Sequence, residues 1–150
     1  MNVYRSRCHM AKDAGADSYP IGAKLSQPAI VADIMHRLYD DAPSEVFVVF
    51  HLNIKNAVVG FEEIHRGTLD ASLVHARDIL RSAILSNAGA IILAHNHPSG
   101  SLSPSPEDRA VTRQVAAAAK LVGVPLLDHV IIGAMSEGFV SLGPDGDGDL

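Results

Sequence analysis

The chain has 150 residues, of which 47% are hydrophobic, with one Cys, no Trp and a formal net charge of −5. This acidic balance disfavours a broad basic surface, so DNA is not expected as a partner. A single cysteine excludes an internal disulfide, and no apolar run approaches the roughly 20 residues of a membrane span. We therefore expect a cytoplasmic domain that does not cross a membrane.

The two ends of the chain differ in composition from its middle. Residues 1–25 mix small, polar and basic residues without a period, which predicts a poorly ordered N-terminal arm. Residues 143–150 read GPDGDGDL and predict an acidic, flexible tail. One domain is therefore expected over residues 26–142.

The domain is expected to begin with an amphipathic helix. Ser26 is a candidate N-cap and Pro28 would lie in the first turn. Ile30, Ile34 and Leu38 then recur every four residues, as they would on one face of a helix.

A β-hairpin and a second helix should follow. Residues 45–52 (EVFVVFHL) and 57–65 (AVVGFEEIH) are rich in β-branched and aromatic residues, with turn-forming residues between them. The next helix has Thr68 or Asp70 as its candidate cap and is expected to run to about Asn87.

The second half of the domain alternates strands and a helix. Residues 90–94 (AIILA) are typical of an interior strand that is covered on both faces. A helix should open at Ser105 and end at Gly123, and residues 126–132 and 138–142 predict two further strands. Together these elements predict an α/β fold, with a mixed sheet of about five or six strands between helices.

Metal-binding residue types occur at the end of the predicted strand 90–94. His95 and His97 are two positions apart, so in an extended chain their side chains share one face and can converge on one ion. Asp108 comes at the start of the next helix, where its carboxylate could return as a third ligand. Two imidazoles and one carboxylate suit zinc and leave a fourth position for water.

Each of these residues also has a simpler explanation. Two histidines at a strand end often serve only as hydrogen-bonding groups. Ser105 and Asp108 have the spacing of a helix capping box, with Pro106 at the favoured first helical position. The combination of an interior strand, H-x-H-P, a glycine turn and S-x-x-D nevertheless favours a metal site.

This combination resembles the JAB1/MPN/Mov34 (JAMM) metalloprotease motif, and RadC-like sequences in particular. The segments EVFVVFHLN, HNHPSG and LLDHVIIG carry the resemblance over about residues 44–133. It implies a JAMM/MPN-like fold with the layout of cytidine deaminases. It also implies one zinc ion per chain bound by His95, His97 and Asp108, with Ser105 hydrogen-bonding the developing oxyanion.

The resemblance further implies a general acid/base carboxylate from an earlier strand. Glu62 and Glu63 are the candidates, and because adjacent strand residues face opposite sides, only one of them can reach the metal site. Glu63 precedes the apolar residue of the E-I-x-R-G-T segment, as in RadC-like sequences, and we favour it. The implied activity is hydrolysis of peptide or isopeptide bonds in a peptide or protein substrate.

Two other function classes compete with hydrolysis. One is a RadC-like DNA-repair-associated or protein-interaction module with a structural metal and no turnover, although the net charge gives DNA binding no support. The other is a nucleobase deaminase, which would require H-x-E with P-C-x-x-C and is excluded by the single cysteine. His129 is a candidate for a hydrogen bond to the metal site, but a buried structural histidine is the favoured explanation. The substrate and a homo-oligomeric state are left open.

Overall fold

The computed structural model describes residues 19–39, 41–68, 74–133 and 138–148. In these ranges the elements are, in chain order, α1 (Pro28–Tyr39), β1 (Val46–Leu52), β2 (Val58–Arg66), α2 (Ala76–Leu85), β3 (Ala90–Asn96), α3 (Pro106–Val122), β4 (Leu126–Ile132) and β5 (Phe139–Ser141). None of the described helices has both the length and the apolar composition needed to cross a membrane.

The strands form one mixed sheet in the order β2-β1-β3-β4-β5. β1 is antiparallel to both β2 and β3, β3 is parallel to β4, and β4 is antiparallel to β5. The parallel pair requires a crossover, which α3 provides. The α/β class and the mixed sheet predicted from the sequence are confirmed.

Helices cover both faces of the sheet, as the strand β1 illustrates. Val46, Val48 and Phe50 pack in one core with α1, whereas Phe47 and Val49 pack in a second core with α2 and α3. All five side chains are buried because each face of the strand meets a helix layer. The predicted arrangement of a sheet between helices is therefore present.

The predicted hairpin joins β1 and β2. The Asn53 side-chain oxygen accepts hydrogen bonds from the backbone N–H groups of Lys55 (2.9 Å) and Ala57 (3.1 Å). Asn56 has a φ of 58°, which asparagine adopts more readily than most residues. The turn chemistry of the sequence thus accounts for this connection.

The second helix begins later than the capping residues predict. Helix α2 starts at Ala76, and His75 occupies the N-cap position without a side-chain hydrogen bond. Thr68 lies in a bend before this helix and is therefore not its cap, and Asp70 lies outside the described residues. The side chain of Val74 is buried in the core shared with α2 and α3, and this contact fixes the chain just before the helix.

Part of the predicted N-terminal arm packs on the sheet. The Gly22 N–H donates to the Val58 carbonyl (2.8 Å) and the Val58 N–H donates to the Ala23 carbonyl (2.9 Å). Leu25 is buried in the core under α1. Residues 19–25 therefore extend the domain, whereas residues 1–18 of the predicted arm lie outside the described residues.

Part of the predicted flexible tail also contacts the domain. Residues 143–146 form a turn, and the Gly148 N–H donates to the Leu142 carbonyl (2.8 Å). A Cβ at Gly148 would lie 2.1 Å from the Ser141 carbonyl oxygen, so this close approach requires glycine. The structure thus departs from a free tail over 143–148.

Strand β1 buries a histidine at the end of the sheet where α2 terminates. His51 Nε2 lies 2.9 Å from Ser82 Oγ, and His51 Nδ1 lies 2.9 Å from Ser86 Oγ. The Ser82 hydroxyl donates to the Ile79 carbonyl (2.9 Å) and can therefore accept from His51 Nε2–H. Burial lowers the pKa of His51 to about 4.

We expect His51 to reduce stability as the pH falls from 6.5, the ordinary histidine pKa, to about 4. In this window the unfolded chain binds a proton on His51 and the folded protein does not, so the free energy of unfolding decreases. Between pH 7.5 and pH 5 this loss should be about 2 kcal/mol. Urea unfolding with a chelator at both pH values measures it. His51→Gln, which keeps polar groups without titrating, should show a shallower pH dependence, and equal dependences would contradict the expectation.

Candidate metal centre

The end of β3 and the start of α3 bring the three predicted ligands together. One ligand atom from each of His95, His97 and Asp108 lies within 4.8 Å of the other two. His95 Nε2 is 2.9 Å from His97 Nε2 and 3.1 Å from Asp108 Oδ1. His97 Nε2 is 3.4 Å from Asp108 Oδ2. The three side chains can therefore hold one metal ion.

The protonation of His97 is fixed by its second nitrogen. His97 Nδ1 lies 2.7 Å from the Ser101 carbonyl oxygen. A carbonyl only accepts, so Nδ1 must carry the proton, and in neutral His97 the Nε2 lone pair is directed at His95 and Asp108. A lone pair beside a carboxylate oxygen is an arrangement that a cation stabilises.

Ser105 and Asp108 form the capping box that the spacing predicts. The Asp108 N–H donates to Ser105 Oγ (3.0 Å), and the Ser105 N–H donates to Asp108 Oδ2 (2.8 Å). Pro106 occupies the first helical position. The capping role does not compete with the metal-binding role, because it leaves Oδ1 facing His95 and fixes the direction of the carboxylate.

Charges in the cluster favour an ionised Asp108. Burial raises the pKa of the Asp108 carboxyl, but its close contacts with the imidazoles of His95 and His97 outweigh burial and hold that pKa well below its usual range. For His97, burial lowers the pKa of the imidazole. The contacts of His97 with Asp108 and with the Ser101 carbonyl outweigh burial, so this pKa lies above the ordinary histidine value. The buried carboxylate is thus kept as an anion by its imidazole neighbours.

A second carboxylate near the cluster belongs to Glu45, which no motif of the sequence singles out. Phe47 opposes His95 at the end of the β1–β3 pairing, and Glu45 precedes Phe47 by two residues, so Glu45 lies toward His97 at this end of the two strands. The Glu45 charge is also one of the contributions that raise the pKa of His97. The signal in the sequence was a glutamate at the start of the strand EVFVVF, which the H-x-H motif alone did not connect to the site.

Asn96 fixes the start of β1 beside the cluster. Its side-chain oxygen accepts from the Val46 N–H (2.6 Å), and its amide nitrogen donates to the Ser44 carbonyl (3.2 Å). The backbone on either side of Glu45 is therefore bonded to the residue between the two histidines.

The structure does not bring Glu63 to the cluster. A bulge in the β1–β2 pairing places Glu63 opposite Val48, so it lies on the α1 face of the sheet, whereas His95 lies on the other face. The Glu63 carboxylate is 2.7 Å from the Arg66 guanidinium in an exposed ion pair. The favoured candidate for the acid/base carboxylate thus lies on the wrong face, because the bulge changes the alternation of β2.

Glu62, and not Glu63, faces the side of the sheet on which His95 lies, but its strand β2 is not adjacent to β3. It opposes Val49 and therefore shares the face of His95. Its Oε2 atom is buried and has no hydrogen-bond partner in the described parts of the chain. Between Glu62 and the ligand strand β3 lies β1.

His129 and Thr112 lie behind the candidate ligand His95. His129 Nε2 is 2.8 Å from His95 Nδ1, and His129 Nδ1 is 2.6 Å from Thr112 Oγ1. Burial lowers the pKa of His129 well below its ordinary value. His129 is therefore both a buried histidine and a hydrogen-bond partner of the cluster, which the sequence had presented as alternatives.

The family model of the RadC-like JAB domain matches residues 25–147. The UPF0758 protein of Thiobacillus denitrificans is 44% identical over 135 residues, which cover 89% of this chain and 60% of that protein. The UPF0758 proteins of Photorhabdus laumondii and Staphylococcus haemolyticus are 46% and 41% identical, over 73% and 85% of this chain and 47% and 55% of their own lengths.

The chain thus spans about half to three fifths of the length of these curated relatives. The family match covers nearly the whole described domain, including β1 and all three clustered ligand residues. From this match and these identities we conclude that the chain belongs to the RadC-like JAB domain family.

Proposed function

We propose that this domain is a zinc-dependent hydrolase that cleaves peptide or isopeptide bonds. The observation that carries the proposal is the convergence of His95, His97 and Asp108, whose ligand atoms lie within 4.8 Å of one another. The resemblance to the JAMM motif and the membership in a JAB domain family support the same chemistry.

The donor set fits one zinc ion per chain. Two imidazoles and a carboxylate are borderline ligands that suit zinc and leave room for water, as in catalytic sites. The His97 side chain is 11% exposed and that of Asp108 is 1% exposed, so solvent reaches the cluster from the His97 side. When bound there, zinc would supply Lewis acidity and lower the pKa of water toward about 7.

We assign the general acid/base role to Glu45 instead of Glu63. Glu45 shares the His97 end of the cluster, whereas Glu63 lies on the opposite face and pairs with Arg66. The Glu45 carboxylate would accept the proton of the attacking water and return it to the leaving amine.

Ser105 is proposed to stabilise the developing oxyanion. Its Oγ accepts the Asp108 N–H, so the hydroxyl proton is not used in the capping box. In the described parts of the chain no acceptor takes this proton, which leaves it to be donated to substrate.

The surroundings of the reaction are also part of the proposal. We place it in the cytoplasm, where a lone cysteine stays reduced, and on a peptide or protein substrate. A homo-oligomer stays a prediction. The competing function is a protein-interaction module whose metal is only structural.

The test is cleavage of a defined peptide mixture by zinc-loaded protein. A proteome-derived peptide library, supplemented with Lys-branched isopeptides, is incubated with the protein, and new chain ends are identified by mass spectrometry. We expect cleavages that disappear with EDTA and return with added zinc. Stoichiometric zinc without any cleavage would contradict the hydrolase and favour the structural-metal module.

A further inference from the structure

A line of buried hydrogen-bonding groups runs from α3 through β4 to His95. The Thr112 hydroxyl lies 2.7 Å from the Asp108 backbone carbonyl and 2.6 Å from His129 Nδ1. His129 Nε2 in turn lies 2.8 Å from His95 Nδ1. The side chains of Thr112, His129 and His95 are buried away from water. Each of their N–H and O–H groups must therefore donate to another group of this line.

Two orders of protons fit these distances. In the first, the Thr112 hydroxyl donates to the Asp108 carbonyl and accepts from His129 Nδ1–H. His129 Nε2 then accepts from His95 Nδ1–H, which leaves the His95 Nε2 lone pair facing the Asp108 carboxylate. In the second, the donations along the line are reversed, and His95 carries its proton on Nε2. Both imidazoles are neutral in either order.

Only the first order allows a metal ion on His95 Nε2, because a ligating imidazole nitrogen cannot carry a proton. We propose that Thr112 and His129 are positioning residues that hold His95 in the Nδ1–H tautomer required for metal binding. This inference rests on the metal site of the proposed function and is independent of the hydrolytic step.

The contact at the Thr112 end of the line favours the first order, and the packing around the two imidazoles keeps their nitrogens in place. The Asp108 carbonyl can only accept, and it lies within hydrogen-bond distance of the Thr112 hydroxyl. The Phe47 ring stacks on His95, with centroids 5.6 Å apart and an interplanar angle of 16°, and packs edge-on against His129 at 5.4 Å. This packing hinders either imidazole from turning over to exchange its nitrogens.

Thr112→Val separates the hydrogen bond from the packing, since valine has nearly the same size and no hydroxyl. Without that acceptor, the metal-bound form has an unpaired buried Nδ1–H on His129. If His129 instead moves its proton to Nε2, that N–H faces His95 Nδ1–H. Either outcome raises the free energy of the metal-bound form relative to the metal-free form.

Zinc affinity, measured by competition with a chromophoric chelator, should fall about 10- to 100-fold in Thr112→Val and His129→Gln. Thr112→Ser retains the hydroxyl and should restore the affinity of the unchanged protein. In the zinc-loaded unchanged protein, two-bond ¹H–¹⁵N correlation spectra should show His129 protonated at Nδ1. A role in packing alone does not require this tautomer.

The matched control is His51→Gln, since His51 is as buried as His129 and both its ring nitrogens have hydrogen-bonding partners, the hydroxyl groups of Ser82 and Ser86. It should lower the free energy of unfolding and leave zinc affinity unchanged. If zinc binds to the unchanged protein, equal affinity in Thr112→Val or a His129 proton on Nε2 would overturn the inference. If zinc does not bind to the unchanged protein at all, the zinc site of the proposed function is itself wrong.

Discussion

Asp108→Asn is expected to abolish stoichiometric zinc binding while leaving α3 intact. The amide oxygen can still accept from the Ser105 N–H, so the capping box survives. The site loses the only anionic side chain among the clustered three, and only two imidazoles of that set remain. The loss of affinity should exceed the roughly 10- to 100-fold that partners outside the ligand set cost.

The measurement is zinc content after gel filtration, together with competition by a chromophoric chelator. Asp78→Asn is the matched control, because Asp78 lies in the first turn of α2 as Asp108 does in α3, but its carboxylate lies 3.9 Å from the Arg81 guanidinium in an exposed ion pair. The control should bind zinc like the unchanged protein. Normal zinc affinity in Asp108→Asn would remove Asp108 from the ligand set.

The three candidate ligands show what a sequence can predict about such a site. The interior strand, the H-x-H spacing and the capping box are local patterns, and local geometry alone places His95, His97 and Asp108 within reach of one another. No knowledge of the remaining sheet was needed, because β3 and α3 follow each other directly in the chain.

The choice of a candidate acid/base carboxylate depends on pairing between strands that are distant in sequence. Because side chains alternate along a strand, the sequence shows that Glu62 and Glu63 face opposite sides of the sheet. It does not show which side holds the candidate ligands, and the bulge at Ile64 shifts the pairing of β2 with β1 by one residue. Glu45 lies toward His97 because β1 runs antiparallel to β3 in a fixed register. Contacts of this kind are set by the packed sheet and leave no local signal in the sequence.

The start of α2 shows a second limit of local patterns. Thr68 and Asp70 are residues that favour N-cap positions, yet the helix starts at Ala76. An N-cap stabilises a helix by only about 1 kcal/mol. Burying the side chain of Val74 contributes about 1.5 kcal/mol or more to the free energy of folding. The local preference of Thr68 and Asp70 for N-cap positions therefore does not fix this boundary by itself.

Glu45→Gln is expected to lower the rate of peptide cleavage about 10²- to 10⁴-fold, the usual contribution of a general acid/base. Glutamine keeps the shape of the side chain and cannot accept the proton, so the loss should appear in kcat with little change in KM. Zinc content should remain one per chain at saturating zinc, because Glu45 is outside the ligand set.

Glu63→Gln is the matched control, since it makes the same isosteric change on the opposite face of the sheet, where Glu63 contacts Arg66. Its cleavage rate, measured on the peptide found with the library, should stay within about threefold of the unchanged protein, because an exposed ion pair contributes less than about 1 kcal/mol. A large loss in Glu63→Gln together with an active Glu45→Gln would show that the sheet face does not decide the base. The acid/base role would then return to Glu63, and Glu45 would act only on the charge of His97.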